Sequence, residues 1–199
     1  MTGSVPPVPA PRRPLDPGAG ARHWYEQALG WATAPGTPVR LVVGRRFDVL
    51  DVPAEAGRAA LRHLGPHSPV AVQGDRMRLL VAAGSAEELP GLLEWLEWGA
   101  VGLDLVALGA GTLTDAPLPP EAGPAGGRPR THGRPGSQGA AVWLRPPEPG
   151  REVEASLPTL SAVGGQGGTP DLVRVVDTAA TQCHRIRLRR ACAQPLAFS

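Results

Sequence analysis

The sequence predicts a single α+β domain. Its 199 residues and 42% apolar content suit one core of ordinary size, and β-rich runs alternate with helical stripes between residues 21 and 190. Proline and glycine gather outside that alternation, in residues 1–20 and in an internal stretch at 121–139. The expected layout is a disordered Pro-rich arm over 1–20, the domain over 21–190 and a short tail over 191–199.

From Ala21, the residues Trp24, Tyr25, Ala28, Leu29 and Trp31 read as a short amphipathic helix closed by Gly30. Val39 to Val43 and Phe47 to Val52 are β-rich, and Pro53 suits the first turn of a helix running to Leu64, with Gly65 as its C-terminal cap. Pro69 to Gln73 and Met77 to Val81 flank Gly74-Asp75, a pair that tolerates the backbone of a tight hairpin. Ser85 with Glu88 three residues on matches a capping box, and Leu89, Leu92, Leu93 and Leu96 continue the helical stripe as far as Trp98.

Val101 to Ala107 reads as an otherwise apolar strand with Asp104 inside it, and Gly109-Ala110-Gly111 as a hairpin turn into Thr112 to Ala116. Residues 121–139 lack periodicity and read as a flexible insertion. A strand follows at Ala140 to Leu144, then a short segment at Leu157 to Val163. A last helix over 170–190 carries the stripe Leu172, Val175, Val176, Ala179, Cys183 and Ile186. Trp95, Trp98 and Trp143 are expected in the core.

All 20 basic residues are arginine, which reads as the codon bias of a GC-rich genome and excludes a P-loop or Schiff-base lysine. Residues 21–120 carry eight arginines against eleven acids, and residues 121–199 carry ten against six. An acidic core argues against a broad phosphate-tracking face. Arg185, Arg187, Arg189 and Arg190 at the end of the last helix are explained by its C-terminal dipole, with nucleic-acid contact as the sharper alternative. Cys183 and Cys192 form neither a disulfide framework nor a zinc site, His63, His67, His132 and His184 have no mutual ligand spacing, and no apolar run is long enough to cross a membrane. A cytoplasmic protein with reduced thiols and no membrane partner is expected.

Asp48 and Asp51 stand three apart on one strand, so they leave opposite faces and cannot form a dyad. Either is read most simply as a solvated carboxylate or a helix N-terminal partner. Asp104, in an apolar run, needs a hydrogen-bond partner, a cation or a cleft.

In order along the chain stand Val43-Gly44-Arg45-Arg46-Phe47-Asp48-Val49-Leu50-Asp51-Val52-Pro53, then Gly74-Asp75-Arg76-Met77-Arg78-Leu79-Leu80, then Leu103-Asp104-Leu105 with Gly109-Ala110-Gly111 and Ala116-Pro117. This succession, over Ala21 to Pro149, resembles the N-terminal domain of bacterial bifunctional DNA primase/polymerases, the Prim-Pol branch of the archaeo-eukaryotic primases. The resemblance implies an RRM-like mixed sheet with packed helices. It also implies a site with an Asp-x-Asp pair on one strand, a His in the following hairpin and a later Asp, which together hold divalent metals for nucleotidyl transfer in DNA replication.

Carried onto this chain, the first Asp falls on Asp51 and the later one on Asp104. The second member of the pair falls on Pro53 and the His on Met77, and neither supplies the lost ligand. Asp51 and Asp104 are therefore the remnant catalytic and metal-binding positions, enough for at most one weakly held Mg²⁺ or Mn²⁺. Residues 150–199 are too few for the helicase that accompanies such domains, so a stand-alone domain is expected. The leading expectation is a weakened or inactive relative, a pseudoenzyme that binds nucleotide, DNA or a protein partner. An active primase/polymerase in which Asp48 or Asp75 replaces a lost ligand, and an interaction protein without nucleotide function, are the alternatives.

Overall fold

A computed structural model describes residues 17–120, 139–160 and 170–192. Residues 1–16 of the arm, 121–138 of the insertion and 193–199 of the tail lie outside the described residues, as do residues 161–169, which include the end of the Leu157 to Val163 segment. The described residues are α+β, with four α-helices and two sheets that are antiparallel throughout, which corrects the expected mixed sheet. None of their helices is long and apolar enough to cross a membrane.

Helix α1 (Pro17–His23) starts four residues before Ala21 and continues as a π-helical stretch, Trp24–Ala28. It is tied to strand β1 (Thr33–Ala34) and the turn beyond by Arg22, whose guanidinium donates to Thr33 Oγ1, Ala34 O and Gly36 O, each at 2.9 Å. β1 pairs with β2 (Arg40–Val42), and β2 pairs on its other side with β7 (Leu113–Asp115).

The larger sheet has the order β6-β3-β5-β4-β8, with β3 Asp48–Pro53, β4 Val70–Gln73, β5 Arg76–Val81, β6 Val106–Leu108 and β8 Val142–Arg145. Helix α2 (Ala54–Ala60), extended by a 3-10 turn at Leu61–His63, connects β3 to β4. Helix α3 (Ser85–Trp95) connects β5 to β6. The chain thus runs β-α-β-β-α-β, with its fourth strand beside its first and the third inserted between first and second.

The expected hairpin forms: Gln73 faces Arg76 across a two-residue loop, and Gly74 takes the left-handed backbone, φ +58°. Two other turns differ from expectation. Gly109-Ala110-Gly111 is a tight turn, closed by Thr112 N–H donating to Gly109 O at 3.1 Å, but it carries the chain from one sheet to the other and joins no hairpin. The capping box does not form, because Gly84 takes the N-cap of α3 and leaves Ser85 inside the first turn.

Strict alternation along β3 and β5 divides the core in two. One face sends Leu50, Val52, Met77, Leu79 and Val81 against α2, α3 and helix α4 (Leu172–Cys192), whose stripe is buried as expected. The other sends Val49 and Leu80 against Tyr25, Trp31, Leu41, Val43 and Phe47. The Tyr25 hydroxyl there donates to Pro117 O at 2.5 Å and accepts from Trp143 Nε1 at 3.0 Å. Trp143 and Trp98 are only partly buried and Trp95 is 72% exposed, so the expectation of three core tryptophans fails.

Candidate functional site

Asp51 sits near the end of β3 on the face turned away from the helices, opposite Arg78 of β5 and diagonal to Arg76. Pro53 follows two residues on and lies opposite Arg76, so positions 51 and 53 share one face with both arginines. Asp104 arrives from the next edge, where the pairing of Asp51 with Val106 brings the residues ahead of β6 alongside the end of β3. The expected strand at Val101 to Ala107 shrinks to β6, and Asp104 lies in an irregular segment before it, half exposed rather than within a buried run. Leu103 and Leu105 pack on the helix-side core without strand pairing, which accounts for the misleading apolar pattern.

The carboxylates of Asp51 and Asp104 are therefore brought together, and Arg76 stands between them. Its Nε donates to Asp51 Oδ1 at 2.6 Å, its Nη1 to Asp104 Oδ1 at 2.5 Å and its Nη2 to the Asp51 carbonyl at 3.0 Å. Arg78 Nε donates to the second oxygen of Asp51 at 3.2 Å. Burial opposes the charge on Arg76, but the hydrogen bonds to Asp51 and Asp104 outweigh it and raise the guanidinium pKa. Charge-assisted contacts of this geometry are the strong class of hydrogen bond, and here they are only partly exposed to water.

This donor set does not fit a two-metal centre. Both oxygens of Asp51 already accept from guanidinium groups, and a divalent ion between Asp51 and Asp104 would have to displace Arg76. Among the described residues no group of three or more His, Cys, Asp or Glu could hold a metal.

The other expected site residues fall elsewhere. Met77 is 1% exposed and faces the helices, packed beneath Gly57 of α2, so it cannot stand beside Asp51. Asp48 is also 1% exposed on that helix face, and its Oδ2 accepts from Ala86 N–H at 2.9 Å, capping the start of α3 from a distant strand. Its Oδ1 has no protein partner. Asp48 is thus a helix N-terminal partner and cannot replace a ligand on the opposite face. Asp75 is exposed at the hairpin tip, where its carbonyl accepts from Ala54 N–H at 2.7 Å.

Arg76 and Arg78 are the residues that reading for ligands overlooks. Part of their signal was present, two arginines in alternation on a strand with the same spacing as Asp51 and Pro53, but the hairpin pairs that strand with β4, and only the folded sheet sets it against β3. The terminal arginines of α4 were also underread, because several make specific tertiary contacts. Arg187 Nη1 donates to Gly102 O at 2.8 Å, Arg189 Nη2 to Glu55 Oε1 at 2.5 Å, and Arg190 Nη1 lies 4.0 Å from Asp104 Oδ2. No family model, curated protein or solved structure matches this chain.

Proposed function

We propose that this chain is a non-catalytic relative of the primase/polymerase domains, retained in the cytoplasm as a module that binds nucleotide, nucleic acid or a protein partner. One observation carries the loss of chemistry: a side chain of the protein, Arg76, fills the cation position between Asp51 and Asp104. A guanidinium neutralises the carboxylates as a metal would, but it cannot offer an open coordination position to a phosphate or lower the pKa of an attacking hydroxyl.

Two features support the family reading. The β-α-β-β-α-β order, with the fourth strand beside the first, is the connectivity of an RRM-like sheet. Positions 51, 53 and 104, which the resemblance equates with the three carboxylates, converge at one end of one sheet face. The hairpin His equated with Met77 lacks this support, since that position turns into the core.

Primer extension on a single-stranded template with Mg²⁺ or Mn²⁺ and deoxynucleotides tests the proposal. The wild type and Asp51→Ala are expected to give the same background. Template-dependent extension by the wild type that Asp51→Ala abolishes would overturn it. Retention of nucleotide or single-stranded DNA without extension would favour the binding module over a protein-interaction role.

A further inference from the structure

Three residues of α4 at positions 183, 187 and 190 fall on one side of the helix, because spacings of four and three keep side chains in register along its axis. All three reach the same irregular segment ahead of β6. Cys183 Sγ donates to Asp104 O at 3.4 Å, Arg187 Nη1 donates to Gly102 O at 2.8 Å, and Arg190 Nη1 stands 4.0 Å from Asp104 Oδ2. The other side of Asp104 is held by Arg76 alone.

We propose that the C-terminal half of α4 is a clasp that holds the segment from Gly99 to Leu105 in place and so keeps Asp104 against Arg76. The segment has no strand pairing of its own; besides the Val101 N–H bond to Trp98 O and the Arg76 bond to Asp104, Leu103 and Leu105 on the core and the three contacts from α4 order it. Its two arginines are exposed, and the Arg190 to Asp104 contact is a long, solvated ion pair, which salt screens. Cys183 is the fixed point, buried in the core, while Arg187 and Arg190 are the part that opens. Release would free Asp104 from the network while leaving Asp51 bound to Arg76 and Arg78. The inference goes beyond the non-catalytic reading and does not depend on it, since the clasp would act on this segment whatever the site binds.

Amide hydrogen exchange on the full chain tests it by comparing wild type with the double variant Arg187→Ala, Arg190→Ala. Exchange over residues 99–106 is expected to accelerate about tenfold, as one charge-assisted hydrogen bond and one screened ion pair are lost, with β4 and β5 unchanged. The Lys pair, Arg187→Lys with Arg190→Lys, should restore part of the protection, because charge is kept but the forked geometry is not. In wild type, high salt should move the same segment toward the variant's behaviour. The Arg76 Nε–H resonance, protected by Asp51, should stay put in every case. Unchanged exchange over 99–106, acceleration spread equally over β4 and β5, or a wild type indifferent to salt would each overturn the proposal.

Discussion

Asp48 and Asp51 are the same residue type on the same strand, one turned toward the helices and the other away, and their fates differ. Asp48 is sealed in the core, where one oxygen caps α3 and the other has no protein partner. Asp51 lies near the end of β3 on the other face, where two arginines donate one hydrogen bond to each of its oxygens. The face a carboxylate leaves from thus decides whether it serves the fold or the site, and a shift of one residue exchanges the roles.

The contrast breaks most visibly at Met77, on the helix face. Restoring the histidine that the resemblance asks for, by Met77→His, places a polar ring beneath Gly57 of α2 rather than beside Asp51. A Cβ on Gly57 would already lie 2.5 Å from the Met77 sulfur. We expect a loss of about 3 kcal/mol in urea unfolding and no gain in nucleotide binding. A near-neutral Met77→His that gains nucleotide affinity would refute the assignment of faces.

Asp51→Ala should cost about 2 kcal/mol, because it leaves Arg76 with Asp104 as its one carboxylate partner and Arg78 with none. Asp48→Ala should cost less, about 1 kcal/mol, since the lost cap is offset by removing a carboxylate that holds a partnerless oxygen in the core. Equal losses at the two positions would erase the distinction between them.

The smallest effects belong to the exposed pairs. Arg46→Ala breaks the two-pronged contact with Glu154, at 2.7 and 3.0 Å, and should change stability by less than about 1 kcal/mol. The hydrogen bond from Arg46 lowers the Glu154 pKa, so this contribution is present above the ordinary carboxylate range and is lost as pH falls through and below it. His63 also acts in the acid direction. Its pKa is lowered by burial first and then by the charges of Arg62 and Arg174, so the folded state disfavours its proton. Its contribution is full above about 6.5, the ordinary histidine value, and declines as pH falls below that. Thermal melts between pH 7 and 5 should show the decline in wild type and a flatter profile in His63→Gln.

Much of this was legible from residue pattern. The Gly74-Asp75 hairpin and the α4 stripe follow from local chemistry and periodicity, which need no knowledge of tertiary neighbours. The opposed faces of Asp48 and Asp51 follow from alternation alone. What escaped was set by contacts distant in sequence. Ser85 has the residues of a capping box, yet Asp48, nearly forty positions earlier, caps α3. Leu103 and Leu105 imitate a strand, because an apolar run cannot show whether burial comes from pairing or from packing on a helix. The site itself was half legible: Asp51 and Asp104 reach one shared cation, but that cation is Arg76, supplied by a strand whose register only the folded sheet reveals.

If Arg76 takes the place of a cation between Asp51 and Asp104, it should keep metal out, and a Mn²⁺ titration followed by electron paramagnetic resonance reads this out. Wild type should bind no more tightly than about 1 mM, the range of a poorly furnished carboxylate site. Arg76→Ala should then bind measurably tighter, and Asp51→Asn in that background should abolish the gain. Tight binding by wild type that Asp51→Asn removes would show that the carboxylates still serve a metal and that Arg76 does not replace it.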